Sequence, residues 1–176
     1  MTKNALFLDR DGVLNRRIVD GYVTRPEDFE ILPGVLEAMK IFAERFTRVF
    51  IVTNQQGVGK GLMTEDDLQR VHGYFLQQVA QAGGRVDRIY YCTALKSAHS
   101  FRRKPSIGMA LQARRDFADV ALKQSVMVGD MMSDMLFGRR AGMTTVLVGD
   151  EPLTATRYPH LVDYCYPTLL DYAKTL

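Results

Sequence analysis

Short apolar runs alternate with amphipathic stretches along most of this chain, and the alternation predicts its elements in order. Ala5 to Leu8 reads as a strand buried on both faces. After Pro33-Gly34, the positions Val35, Leu36, Met39, Phe42 and Ala43 form one apolar stripe and predict a helix. Arg48 to Thr53 is the second strand. Thr64-Glu-Asp-Asp resembles a capping box; the helix it opens buries Leu68, Val71, Phe75 and Val79 and ends at Gly83-Gly84. Arg88 to Cys92 is the third strand, and Ser106 can cap a helix running to about Ala118. Ser125 to Gly129 is the fourth strand, a short helix runs from Ser133 to Gly142, and Thr144 to Val148 is the fifth strand. A last helix lies near Thr168 to Ala173. This succession predicts an α/β fold: a parallel sheet with helices on both faces, three layers in all, as a single domain over residues 1–176.

Open parallel sheets bind ligands beyond the carboxyl ends of their strands. Asp9, Thr53, the segment after Cys92, and Asp130 all fall there. Asp9 and Asp11 stand at i and i+2 after the first strand, with Gly12 next. Residues two apart in extended backbone point the same way, so both carboxylates can share one cleft. Like charges that close repel, and burial raises the cost. A divalent cation between them, or a proton kept on one, relieves the repulsion, and both solutions are chemistry. An Asx-turn capping the strand is the bland alternative, since Asp-Gly is a good turn pair.

Composition narrows the class. Of 176 residues, 47% are hydrophobic and 24% charged, the balance of a soluble globular protein. A net charge of +3 suits phosphorylated substrates and is too small to argue for nucleic acid. Cys92 and Cys165 form no disulfide framework, and no stretch has the build of a signal peptide. No apolar run approaches the roughly 20 residues that span a bilayer. A cytoplasmic monomer with neither membrane nor nucleic-acid partner is expected. Gly57-Val-Gly-Lys-Gly61 invites a P-loop reading, but Lys60 precedes Gly rather than Ser or Thr, and the segment reads as a flexible loop.

Four segments, in order, resemble the motifs of the haloacid dehalogenase superfamily of phosphatases. They are Asp9-Arg-Asp11-Gly, Thr53-Asn54-Gln55-Gln-Gly, Arg103-Lys104-Pro105 and Gly129-Asp130-Met-Met-Ser-Asp134. The resemblance implies a Rossmann-like sheet. It also implies Asp9 as a nucleophile that forms an aspartyl-phosphate, and Asp11 as the acid and base. Thr53 and the Asn54 amide would hold a phosphoryl oxygen, with Gln55 beside them, and Lys104 would neutralise the transferring group. Arg103 would clamp a substrate phosphate through its planar fork. Mg²⁺ would take hard oxygens from Asp9, the Asp11 carbonyl and Asp130, with Asp134 orienting the site from behind. Taken singly, these segments read as a polar turn, a solvated basic patch and a helix cap.

The likeness extends over nearly the whole chain to the D-glycero-D-manno-heptose bisphosphate and histidinol-phosphate phosphatases. Gly21-Tyr22-Val23, Pro26-Glu27-Asp28-Phe29 and Leu32-Pro33-Gly34 carry it further. It implies no large cap domain, so the loops 16–29 and 56–62 would grip a small substrate, with Lys60 a basic candidate. Two departures matter. That branch commonly binds structural zinc through Cys-x-His and Cys-x-Cys, whereas this chain has Cys92 but Ala94, Ser100 and Arg102 in the remaining places. His99 does not complete the four ligands zinc wants, so no zinc is expected. Met131 also stands where the heptose enzymes carry a lysine. The resemblance points to a Mg²⁺-dependent phosphomonoesterase acting on a small sugar phosphate, with heptose bisphosphate foremost. A histidinol or other polyol phosphate, a nucleic-acid 3′-phosphate, or a non-catalytic phosphate-binding domain are the alternatives.

Overall fold

β1 (Lys3–Leu8) lies at the centre of the sheet, because its apolar side chains can bury themselves on both faces. In the computed structural model, which describes residues 3–149 and 158–176, β1 pairs in parallel with β2 (Phe46–Asn54) and β4 (Val126–Gly129). β3 (Arg88–Cys92) extends one side; β5 (Thr144–Val148) and β6 (Tyr164–Tyr166) extend the other. The result is a six-stranded parallel sheet in the order β3-β2-β1-β4-β5-β6. The chain reverses direction across the sheet between β1 and β4, where such folds open a crevice.

The period-2 alternation of the strands sorts the core. Leu6, Leu8, Val49, Ile51, Val126 and Val128 pack with the apolar faces of α1 (Val35–Arg45), α3 (Glu65–Gln81) and α6 (Leu169–Ala173). Ala5, Phe7, Phe50, Val52 and Met127 pack with α4 (Gly108–Asp116) and α5 (Met132–Arg140). These are the three layers the alternation predicts. Phe42 of α1, between the rings of Phe46 and Tyr172, is typical of the cost of breaking them. Its full burial contributes on the order of 1.5–3 kcal/mol. Among the described residues, neither the segment after β1 nor that between β2 and β3 builds a large cap.

The structure corrects several expected boundaries. β2 begins at Phe46, because α1 ends straight into the strand. Gly57–Gly61 reads as a flexible loop, but its first three residues belong to a helical turn, α2 (Gln56–Gly59). It docks so closely that a Cβ on Gly59 would lie 2.3 Å from the Thr93 carbonyl oxygen. Ser106 caps nothing: α4 begins at Gly108, N-capped by Ile107 without a side-chain bond, and stops at Asp116. Its first residue is held to glycine by packing, since a Cβ at Gly108 would meet the Phe101 carbonyl oxygen at 2.5 Å. β6 went unforeseen; it is three residues long and largely exposed, so it carries no apolar run. The expected capping box of α3 is present, with Thr64 and Asp67 each accepting from the other's backbone N–H.

Candidate active site

Alternation persists just past the end of β1. Asp9 has the parity of Ala5 and Phe7 and meets residues from the α4–α5 side; Arg10 has the parity of Leu6 and Leu8 and meets residues from the α3 side. The chain then winds round the Arg10 carbonyl, which accepts from the N–H groups of Val13, Leu14 and Asn15 at 3.2, 2.8 and 3.2 Å. Gly12 makes this turn at φ +94°, and a Cβ there would lie 2.0 Å from Asp130 Oδ2. Only glycine lets Asp130 come this close to the Asp9–Asp11 segment.

Buried Lys104 ties the floor together. Its ammonium donates to Asp9 Oδ1 and Asp134 Oδ1, both at 2.7 Å. Burial works against that charge, but the two carboxylates outweigh it and hold the Lys104 pKa above its ordinary value. Asp9 is pushed up to about 7 by burial and by the Asp134 charge, against the pull of Lys104. Carboxylate oxygens of Asp9, Asp130 and Asp134 lie within 4.8 Å of one another. Three acids here face two side-chain cations, Lys104 and Arg17, a balance that leaves room for further positive charge.

Asp9 and Asp11 line the same cavity, yet their carboxylates take different partners. Asp11 accepts from Arg10 Nη2 and Asn15 Nδ2 at Oδ1, each at 3.0 Å, and from Gln55 Nε2 at Oδ2, at 2.7 Å. Burial opposes its charge, but Arg10, Asn15 and Gln55 together hold its pKa below the usual carboxylate value. Gln55 Nε2 also donates to the fully buried Thr53 Oγ1 at 2.9 Å, so it links the ends of β1 and β2. The Asn54 carboxamide clasps the Lys104 backbone at both ends, donating to its carbonyl at 3.1 Å and accepting from its N–H at 3.0 Å. Its side chain thereby fixes where Lys104 stands.

The donor set fits a hard divalent cation: carboxylates and a backbone carbonyl, with no sulfur or imidazole. Arg17 Nη2 marks the place, donating to the Asp11 carbonyl at 2.7 Å and to Asp130 Oδ1 and Oδ2 at 3.0 and 2.9 Å. These are oxygens that the family resemblance would give to Mg²⁺, and they already point at one positive group. The cavity above has a volume of about 1140 Å³. Lys60, Arg103 and Met131 line it together with Tyr22 and Gln56, whose Nε2 donates to the Tyr22 hydroxyl at 3.0 Å. Lys60 Nζ stands 5.4 Å from the centre of the Tyr22 ring, and Arg103 donates to the Ala94 carbonyl at 3.3 Å.

Comparison with known proteins decides the family. Residues 101–172 match the HAD-hydrolase-like family model. The D-glycero-alpha-D-manno-heptose-1,7-bisphosphate 7-phosphatase of Campylobacter jejuni is 39% identical over 151 residues, 86% of this chain and 85% of its own. The chain belongs to the heptose-bisphosphate phosphatases of the haloacid dehalogenase superfamily. The D-glycero-beta-D-manno-heptose-1,7-bisphosphate 7-phosphatase of Helicobacter pylori strain 26695 is 34% identical over 98% of this chain and 99% of its own. A crystal structure of the D,D-heptose 1,7-bisphosphate phosphatase of B. bronchiseptica, complexed with magnesium and phosphate, superposes with a TM-score of 0.88. It is 30% identical and covers 99% of this chain and 97% of that one.

The loop after β3, where Ala94, Ser100 and Arg102 stand at expected zinc-ligand places, makes other bonds. The Cys92 thiol donates to Ser100 Oγ at 3.8 Å, and Arg102 donates to the Tyr91 carbonyl at 3.3 Å. Sequence reasoning missed Arg10, Asn15, Arg17, Tyr22, Gln56 and His72. Arg10, Tyr22 and Gln56 lay inside segments already singled out, and Asn15 follows the first of these closely. The others contact the site through partners distant in sequence, and no local pattern marks them.

Proposed function

We propose that this phosphatase hydrolyses a phosphomonoester of D-glycero-D-manno-heptose 1,7-bisphosphate through an aspartyl-phosphate on Asp9. The observation that carries this is the floor: Asp9 on the Lys104 ammonium at 2.7 Å, within a carboxylate cluster that calls for a cation. Asp9 attacks phosphorus as the bond to the sugar oxygen breaks, and Asp11 gives that oxygen its proton. Asp11 then takes a proton from the water that attacks the phosphorus of the aspartyl-phosphate, releasing phosphate and restoring the Asp9 carboxylate and the protonated Asp11. Lys104 balances charge on Asp9 and on the transferring group, and Thr53 holds a phosphoryl oxygen. Asp9, the Asp11 carbonyl and Asp130 would hold Mg²⁺, with Asp134 behind them, and the ion would supply positive charge to offset the negative charge of the reacting groups. Arg103 and Lys60 receive the second phosphate at the rim. The relatives are named for release of the 7-phosphate, which supports that position here.

Asp9→Asn removes the nucleophile with little change of shape, and turnover should fall at least about a hundredfold while the fold remains. Asp11→Asn should instead yield a trappable phosphoenzyme from an activated aryl ester but not from a sugar phosphate. Retention of more than a few per cent of activity by Asp9→Asn sinks the reading. Catalytic efficiencies on matched heptose mono- and bisphosphates test the substrate. A bisphosphate preference untouched by Lys60→Ala removes Lys60 from its place.

A further inference from the structure

A histidine outside all four motifs reaches this site through one intermediary. His72 lies on the buried face of α3, and its Nε2 is 3.2 Å from Arg10 Nη1. A guanidinium only donates, so Nε2 accepts and the imidazole proton lies on Nδ1. The other terminal nitrogen of the same guanidinium, Nη2, donates to Asp11 Oδ1 at 3.0 Å. Arg10 is 1% exposed and packs over the Phe29 ring at 5.7 Å. It therefore cannot turn to water if one partner is lost.

The choice of partner matters physically. A carboxylate at position 72 would draw Arg10's charge to itself, and an apolar side chain would leave a buried N–H unpaired. A neutral imidazole satisfies the donor and leaves the positive charge directed at Asp11. Burial, with the Arg10 charge beside it, pushes the His72 pKa down to about 3, so the ring is neutral at working pH.

We propose that His72 is a positioning residue for Asp11, acting through Arg10. It fixes the guanidinium so that Asp11 keeps Oδ1 on Arg10 and Asn15 and Oδ2 on Gln55, aimed for proton transfer. This rests on Asp11 serving as the acid and base of the proposed reaction. A histidine that merely fills the core would affect stability without singling out the steps that move a proton.

The test compares His72→Leu, which removes the acceptor, with His72→Gln, whose amide oxygen can accept from Arg10. His72→Leu should lower kcat on heptose bisphosphate tenfold or more with KM within about twofold, and His72→Gln should recover most of the loss. With p-nitrophenyl phosphate, whose leaving group needs no proton, His72→Leu should release a burst of nitrophenolate and then turn over slowly, as dephosphorylation lags. Asp11→Asn combined with His72→Leu should be no slower than Asp11→Asn alone. If His72→Leu does not fold, His72→Met, whose flexible thioether fills the same space, takes its place. Wild-type kcat in His72→Leu, no recovery in His72→Gln, or a further loss in the double variant each overturns the proposal. Wild-type turnover by Asp11→Asn would overturn the acid–base reading and this inference with it. A crippled Asp11→Asn beside a normal His72→Leu would overturn this inference alone.

Discussion

The floor and the rim of the cavity treat charge in opposite ways. On the floor, Lys104 meets Asp9 and Asp134 at 2.7 Å, Arg10 meets Asp11 at 3.0 Å, and Arg17 meets Asp130 at 2.9 Å. At the rim, none of Lys60, Lys96 and Arg103 pairs with a carboxylate among the described residues. The floor's cations are committed to the protein, so they set the ionisation of the acids before any substrate arrives. The rim's cations are uncommitted, and their natural counter-charge is the substrate's. Substitutions on the floor should therefore disturb the protein itself, and substitutions at the rim should disturb recognition.

Lys104→Met breaks the comparison hardest. It leaves Asp9 and Asp134 buried and facing each other with no cation, and removing one partner of a buried pair costs about 3–5 kcal/mol. Urea unfolding should show that loss at neutral pH. A change below about 1 kcal/mol would mean the floor is not held by this charge. The expected loss shrinks as the pH falls toward about 7, because the variant, without the Lys104 charge that holds the Asp9 pKa down, takes up a proton on Asp9 at a higher pH than the wild type does.

Arg103→Ala should leave stability nearly unchanged and lower kcat/KM by about 2–3 kcal/mol, chiefly through KM. Arg103→Lys should not restore it, because an ammonium lacks the planar fork. An equal fall in unfolding free energy would place Arg103 with the floor and erase the distinction.

Arg17 sits between the two regimes, on oxygens proposed to hold Mg²⁺ but with 42% of its side chain exposed. Exposed pairs contribute about 0.2–1 kcal/mol, so Arg17→Gln should tighten Mg²⁺ binding by no more than about fivefold. Calorimetric titration of Mg²⁺ checks this. Weaker binding would mean that Arg17 supports the ion rather than contending with it.

Legibility in the sequence followed locality. The strands that converge on the site could be placed because each is an apolar run stopping at a polar residue, as Leu8 stops at Asp9 and Val128-Gly129 stops at Asp130. The α4 start, the α2 turn and β6 could not, because backbone contacts made elsewhere set them. A cap rule predicts Ser106, but α4 starts at Gly108, whose N–H donates to the Phe101 carbonyl at 3.1 Å. In the site, the bonds of Arg10 to His72, Asn54 to Lys104 and Arg17 to Asp130 join residues 62, 50 and 113 positions apart.

The sequence by itself determined which carboxylates stand at the sheet's carboxyl edge, because strand parity and strand ends are properties of a few neighbouring residues. It also determined the α/β layering, through the alternation of apolar runs and stripes. Only the tertiary structure decided which charge neutralises which. Arg10, between two aspartates in sequence, turns away from Asp9 and is held from α3, and Lys104 arrives from a loop clasped by Asn54. Pairing of buried charges depends on distances of about 3 Å between side chains from different elements. No local pattern encodes those distances until the elements have packed.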